Sequence, residues 1–451
     1  MTRTLQGTGE GMAKVNTPID KVRALQRALY VAAKRNGQRK FPALYDRIAR
    51  PDVLRQAWEQ VRRNKGAAGI DGETLQAVEA YGVEQMLAEL RELLLGGRYR
   101  PQAARRVYIP KPGRPREQRP LSIPRIRDRV LQTAARLVLE PIFEASFLPC
   151  SFGFRPKRSA HQAIGCIRQE VNAGARWVVD LDFSDFFGSL DRRFLLGLVA
   201  RRISDRRVLR LIRQWMSAGV MEDGLFVSSA TGVPQGGTIS PLLSNIYGHA
   251  IDALWQKEAS HLGTIVRYAD DGVILCRTEA DARQALGWLR SVAEALKLRL
   301  HPEKTRIVDL REGVDGLDFL GFHLRLVRSW RRRRWYCQCW PSRRAMASIR
   351  AKIKAITAPR SRLKEPIEAL VTELNPVLRG WANYFRGGNS SRKFAQVDRY
   401  VHERLALFDS KKRQRRGRRW GEVHTHDWRV QLGVYRLSGR IRYYPSATVV
   451  T

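Results

Sequence analysis

Apolar and polar positions fall into blocks whose period changes along the chain, and each change predicts an element. Residues 1–40 are polar and basic except for Val22, Leu25, Leu29 and Tyr30, whose spacing predicts a short helix. From Phe41 to about Arg100 the period is helical, with RNKGAAGIDG (63–72) predicting a loop. VYIP (107–110) and LSIP (121–124) read as strands joined by a Pro/Gly/Arg-rich hairpin, and a helix is expected from about Asp128 to Ser146. WVVDLDF (177–183) is a β-branched and aromatic run, and its period of two puts Asp180 and Asp182 on one face. A helix over 190–202 follows, and TIVRYADDGVILC (264–276) supplies two apolar strands flanking Asp270 and Asp271 at a hairpin turn. A helix over 281–297 and a strand over 305–310 complete a βαββαβ unit. Further on, Ile367, Leu370, Val371 and Leu374 form one buried helical face, which Pro376 is expected to reset. Trp381, Tyr384 and Phe385 read as core first and RNA-contacting second.

Composition changes this picture through charge. The 451 residues have room for two to four domains. They hold 82 Lys+Arg against 43 Asp+Glu, a net charge of +39. Such an excess repels itself unless a polyanion neutralises it, which points to RNA or DNA ahead of an anionic membrane. No secretory signal opens the chain and no apolar run approaches the ~20 residues that span a bilayer, so a cytoplasmic protein without a membrane partner is expected. The cysteines Cys150, Cys166, Cys276, Cys337 and Cys339 are scattered, as suits reduced thiols, and one C-x-C is a poor zinc signature. VRSWRRRRWYCQCW (327–340) interleaves arginines with aromatic residues, the combination that joins phosphate contact to base stacking. Arg331, Arg332, Arg333 and Arg334 are its candidate RNA contacts. In KKRQRRGRRW (411–420) the candidates are Lys411, Lys412, Arg413, Arg415 and Arg416, with a solvated tail as the alternative.

A lone Asp-Asp is usually a solvated turn. A carboxylate pair at the tip of a buried hairpin, beside a carboxylate on a neighbouring strand, is instead what two Mg²⁺ ions about 3.5–4 Å apart require for phosphoryl transfer. Ordered company favours the second reading: an aspartate strand with Phe187 beyond it, VPQGGTISPLLSN (233–245), YADD (268–271) and HPEKT (301–305).

This series resembles the ordered motifs of reverse transcriptases, and in detail those of bacterial group II intron-encoded proteins. RNKGAAGIDG is similar to their N-terminal block, YIPKPGRPREQRPLSIPRIRDRVLQ to the fingers block and SFGFRPKRSAHQAI to the next. WVVDLDFSDFFGSLD, GVPQGGTISPLLSNIY, RYADDGVIL, LHPEKT and GLDFLGFHL resemble the palm motifs, and LNPVLRGWANYFR (374–386) the thumb or maturase segment.

The resemblance implies an α+β right-hand polymerase with fingers and a βαββαβ palm, followed by a helical thumb/maturase domain and a basic C-terminal segment. The expected divisions are 1–41, a basic extension; 42–176, the N-terminal block and fingers; 177–326, the palm; 327–410, the thumb/maturase domain; and 411–451, a DNA-binding-like segment with no endonuclease. It implies Asp182, Asp270 and Asp271 as catalytic ligands of two Mg²⁺ ions. Asp180 shares a face with Asp182, and the choice of Asp182 follows the family's spacing of five residues to the aromatic steric gate, here Phe187. Lys111 and Arg119 are expected to hold the dNTP triphosphate, a role that Arg114 or Arg116 could also fill. Gln235 is expected near the template and incoming base, and Lys304 beside the departing pyrophosphate. For Phe187 an ordinary core role, and for Lys304 a solvated one, are the alternatives. The implied partners are a group II intron RNA, an RNA template with its DNA primer, and target DNA. Two rival functions are a splicing-only maturase with a non-essential palm and a host-recruited reverse transcriptase for phage defence or diversity generation. The intact aspartates and P-Q-G loop speak against the first, and the LNPVLRGWANYFR segment against the second.

Overall fold

The computed structural model describes residues 17–111, 114–222, 224–228, 232–311, 316–329, 333–414 and 422–443, and of Pro18, Lys111 and residues 114–116 the backbone only. Several helices start where the sequence supplies a side-chain acceptor. Thr17, Ser159, Asp191, Thr278 and Ser342 each cap a helix by accepting from a backbone N–H of the first turn.

The centre is a four-stranded antiparallel sheet. Its first strand, Trp177–Leu181, lies between Asp271–Cys276 and Arg306–Asp309, and Thr264–Tyr268 forms the edge beyond Asp271–Cys276. This is the order the βαββαβ reading requires. Both faces are covered, which explains why these strands read as nearly continuous apolar runs. Val179, Leu181, Ile274 and Cys276 pack under the helix Glu279–Ala295, through Ala282, Ala285 and Leu289. Val178, Val266, Val273 and Leu275 meet Ile164, Ile167 and Val171 of the helix Ala160–Asn172.

The hairpin expected of the fingers is longer than the sequence predicts, with Ala104–Lys111 antiparallel to Arg114–Ile123. Two short strands, Val220–Glu222 and Leu225–Val227, join this sheet from within the segment expected to be palm. Three-residue strands leave no alternating pattern to read. Behind the hairpin, the helices Pro18–Arg35, Pro51–Arg63 and Ile126–Glu144 pack together. Tyr30, expected on the apolar face of the first of these, is exposed, and Ala33 is buried in its place.

The arginine- and aromatic-rich segment after residue 325 folds as a hairpin, Phe322–Arg328 against Trp335–Pro341, with Cys337 and Cys339 buried beneath it. The helices Arg343–Thr357, Ile367–Phe385 and Ser391–Lys412 then form a bundle. Pro376 does not reset the helix as the sequence predicts. Ile367–Phe385 is unbroken, and Leu370, Leu374, Leu378, Ala382 and Phe385 continue one buried face through the proline. Packing of that face outweighs the one backbone hydrogen bond that a proline removes. Among the described residues no helix is long and apolar enough to cross a membrane.

Candidate nucleotidyl-transfer site

Strand register brings the carboxylates together. Asp180 pairs with Val273 and Leu181 with Gly272, so the next step along the first strand sets Asp182 across from Asp271. Residues two apart share a face of a strand, so Asp180, Asp182 and Asp271 lie on one side of the sheet, at its open end. The hairpin turn is two residues long, Ala269-Asp270, between the paired Tyr268 and Asp271. Ala269 has φ 60. A positive φ at the first central residue is what tight hairpins of this length demand. The HPEKT segment ties down the other strand end: the His301 N–H donates to the Asp182 carbonyl at 2.8 Å, and Thr305 Oγ1 donates to the same oxygen at 3.1 Å.

Asp180, Asp182, Asp271 and Lys304 line a cleft of about 490 Å³. Lys304 Nζ donates to Asp182 Oδ2 at 2.7 Å. Burial pushes the Asp180 carboxyl up to about 6, against the opposing charge of Arg306 and with the help of Asp182 and Asp318. Asp271 is exposed at the cleft, yet desolvation, followed by the charges of Asp270, Asp182 and Asp180, pushes it up to about 7, with Lys304 opposing. Asp270 is raised mainly by burial and then by Asp182, while Arg267 and Arg119 pull it down. Arg119, exposed on the fingers hairpin, therefore acts electrostatically on the palm turn.

Carboxylates that raise one another in this way gain when a cation sits among them. Among the described residues no three ligating side chains converge tightly enough to enclose an ion on their own. Mg²⁺ does not ask for that, because it binds through one or two carboxylates together with waters and substrate phosphates. The donor set, hard oxygens open to a cleft, fits this ion.

A second cleft, of about 400 Å³, adjoins the fingers and is lined by Pro120, Ser122, Gly188, Val233 and Gln235. Phe187 stands on the short helical turn Phe186–Ser189, where Phe186 is buried in the core and Phe187 is half-buried. The Phe187 carbonyl accepts from the Val233 N–H at 2.8 Å, which fixes this turn to the P-Q-G loop. The loop in turn is clipped to the fingers, its Gln235 carbonyl accepting from the Ser122 N–H at 2.7 Å. Gly236 makes that approach possible. Its φ is 120, and a Cβ there would lie 2.3 Å from the Ser122 carbonyl oxygen.

The sequence did not single out Asp318 or Arg344, which line the first cleft from the segment Leu317–Phe319 and from the first turn of the helix Arg343–Thr357. Leu320 (φ 49) and Gly321 (φ 80) make the tight turn that carries this segment past the carboxylates. The Leu-Gly dipeptide within GLDFLGF was the available signal.

The candidate RNA contacts lie elsewhere. Arg333 and Arg334 are exposed at the tip of the Phe322–Pro341 hairpin beside the half-open Trp335, and Arg331 and Arg332 lie outside the described residues. Lys411 is exposed at the end of the helix Ser391–Lys412. Arg413 Nε bonds the buried Asp409 at 2.9 Å, and Lys412 Nζ donates to the Glu365 carbonyl, so these two also tie down the helix end. Arg415 and Arg416 lie outside the described residues, as do the side chains of Lys111, Arg114 and Arg116.

Comparison with known proteins agrees with this geometry. Residues 109–324 match the reverse transcriptase (RNA-dependent DNA polymerase) family, and residues 346–425 match the group II intron maturase-specific domain. The chain is 36% identical to Protein YkfC of Escherichia coli K12 over 346 residues, 68% of this chain and 88% of that protein. It is 38% identical over 214 residues to the group II intron-encoded protein LtrA of Lactococcus lactis, 47% of this chain and 35% of LtrA. It is 29% identical over 164 residues to nuclear intron maturase 2 of Arabidopsis thaliana, 33% of this chain and 22% of that protein. The reverse transcriptase and maturase-specific matches, and the identity over two thirds of the chain, fit a carboxylate hairpin on a βαββαβ sheet followed by a helical bundle, and the chain belongs to the group II intron reverse transcriptase/maturase family, an RNA-directed DNA polymerase with an intron-RNA-binding domain.

Proposed function

We propose that the chain extends a DNA primer on an RNA template by nucleotidyl transfer from dNTPs, with two Mg²⁺ ions held by Asp182, Asp270 and Asp271. When bound, the ions supply activation of the primer 3′-hydroxyl and neutralise charge on the leaving pyrophosphate. The chain's own groups do the rest. Asp182 and Asp271, on adjacent strand ends, fix the spacing of the carboxylates, and Lys304, already 2.7 Å from Asp182, sets an ammonium where the pyrophosphate leaves and where a proton is needed. Arg119 and Lys111 bring a guanidinium fork and a point charge to the triphosphate. Phe187 occupies the space that a ribonucleotide 2′-hydroxyl would need, and Gln235 faces the template and the incoming base.

The observation that carries this reading is the meeting of Asp180, Asp182, Asp271 and Lys304 in one open cleft on a palm sheet. We further propose that Arg331–Arg334 and the 411–416 run grip a structured intron RNA to aid splicing and mobility, that target DNA is the later substrate, and that the work is cytoplasmic. The test is primer extension on an RNA template with dNTPs and Mg²⁺. The chain should extend the primer and Asp270→Asn should not, while both bind the primer–template equally. Equal extension by both proteins would refute the assignment.

A further inference from the structure

One charged residue stands inside the apolar strand that leads to the catalytic turn. Arg267 is 2% exposed, and each of its guanidinium nitrogens donates a hydrogen bond. Nε and Nη2 donate to the two oxygens of Asp252 at 2.8 and 2.6 Å, and Asp252 is 0% exposed. Nη1 donates to the carbonyl of Ala269 at 2.8 Å and to Asn245 Oδ1 at 3.3 Å. Asn245 Nδ2 then donates to the Gly153 carbonyl at 2.8 Å. Gly153 lies so close to the turn that a Cβ there would be 2.3 Å from the Ala269 nitrogen. On the helix Ser240–Glu258, Asn245, Gly248 and Asp252 follow one another on a single face, and a Cβ at Gly248 would lie 2.6 Å from Arg267 Nη1. The helix face is thus shaped around the guanidinium.

Asp252 takes the bidentate pairing of Arg267, so beyond its pull on the Asp270 carboxyl the arginine brings a fixed geometry to the turn. Its third hydrogen bond holds the one residue of the turn in a backbone conformation that a side chain disfavours, Ala269 at φ 60, and the next residue is Asp270. A planar fork with donors on three sides can hold Asp252 and Ala269 together, and an ammonium on a flexible stem cannot.

We propose that Arg267, with Asp252 and Asn245, is a positioning network that fixes the Ala269-Asp270 turn and thereby sets metal affinity and catalytic geometry at Asp270 and Asp271. This rests on the polymerase reading above. It also joins three segments, the SFGF block, the helix after the P-Q-G loop and the YADD turn, through the buried side chains of Arg267 and Asn245.

The test uses the full chain with Arg267→Lys, Ala269→Gly and the double variant. Three quantities are measured: cooperative melting, the dissociation constant for an RNA/DNA primer–template, and Mn²⁺ affinity by electron paramagnetic resonance, with Asp270→Asn defining the signal of the site. Single-turnover incorporation across Mg²⁺ concentrations accompanies them. Arg267→Lys should melt cooperatively and bind primer–template normally. Its Mn²⁺ affinity should fall several-fold and its incorporation rate roughly ten- to hundredfold, the scale of an ångström of misplacement. Ala269→Gly, which needs no enforcement at positive φ, should recover part of both losses in the double variant. Wild-type Mn²⁺ affinity and rate in a folded Arg267→Lys, or a rate loss with unchanged Mn²⁺ affinity and no recovery, would overturn the proposal. If Arg267→Lys does not fold, Gly248→Ala, which pushes on the guanidinium without removing it, is judged by the same outcomes. A wild-type chain that binds Mn²⁺ but incorporates no dNTP would refute the polymerase reading, and the Mn²⁺ comparison would still decide the network.

Discussion

Two antiparallel hairpins of this molecule carry opposite charges at their tips. The hairpin Thr264–Cys276 has a two-residue acidic tip, with Ala269 at φ 60, fixed from below by a buried arginine. The hairpin Phe322–Pro341 has a longer basic tip, closed by the Ser329 N–H to Arg334 carbonyl bond at 2.9 Å, with Arg333 at φ 50 and its side chain open to solvent. The difference follows from what each tip must meet. In the proposed reading the carboxylates of the first tip hold ions at a reacting phosphate and tolerate little displacement, which suits a short turn with a desolvated support. In the proposed reading the arginines of the second tip meet the phosphates of a folded polyanion through charge, and the described ones, Arg333 and Arg334, are exposed. Both are hairpins, and the proposed reading asks precision of one tip and charge of the other.

The largest effect expected from breaking this contrast is at the acidic tip. Asp270→Asn with Asp271→Asn should lower single-turnover extension by at least about 10³-fold, since metal-borne charge stabilisation amounts to several kcal/mol. Affinity for intron RNA, measured by filter binding, should stay within twofold of wild type. A second variant probes shape selection beside that tip. Phe187→Ala should admit rNTPs and cut the dNTP preference by about 10- to 100-fold, on the order of 1–3 kcal/mol for removing a steric block; an unchanged preference in single-nucleotide incorporation would return Phe187 to the core.

At the basic tip, the combined variant Arg333→Ser, Arg334→Ser and Lys411→Ser should flatten the salt dependence of intron-RNA binding by roughly 0.7–0.9 log-log units for each phosphate the protein no longer neutralises. Its extension of a short primer at low salt should match wild type. The smallest effect separates two neighbours in the C-terminal run. Arg413→Ser removes one of the two partners of the buried Asp409, the other being His424, and should lower stability slightly, by under about 1 kcal/mol because the guanidinium is half exposed. Lys411→Ser should leave the melting temperature unchanged.

The palm was legible because its elements announce themselves through period: the strand with Asp180 and Asp182, the two apolar strands around Asp270-Asp271, and the order of strands that the sheet then adopts. The second hairpin was read only as a charged, aromatic run, because its alternation of buried Cys337 and Cys339 with half-buried Tyr336 and Gln338 is masked by arginines at its tip. Val220–Glu222 and Leu225–Val227 escaped because their pairing with the fingers is a tertiary fact that a three-residue pattern does not encode. Pro376 misled because a helix with a long apolar face keeps going where a less buried one would stop. Arg267 went unnoticed because a lone charge in an apolar strand looks like an exception, and only the opposing helix face of Asn245, Gly248 and Asp252 gives it a reason.

Whether the chemistry runs on Asp182 or on Asp180 turns on a two-residue step along one face of the strand. Asp180 lies within the strand opposite Val273, with its carboxyl raised by burial, and Asp182 lies past the strand end, across from Asp271 and bonded to Lys304. The decisive measurement is single-turnover dNTP incorporation by Asp182→Asn and Asp180→Asn side by side, at saturating Mg²⁺ and with primer–template affinity checked for each. Asp182→Asn should lose extension by at least about 10³-fold and Asp180→Asn by far less. The reverse, with Asp180→Asn abolishing extension while Asp182→Asn keeps it at equal primer–template affinity, would contradict the account.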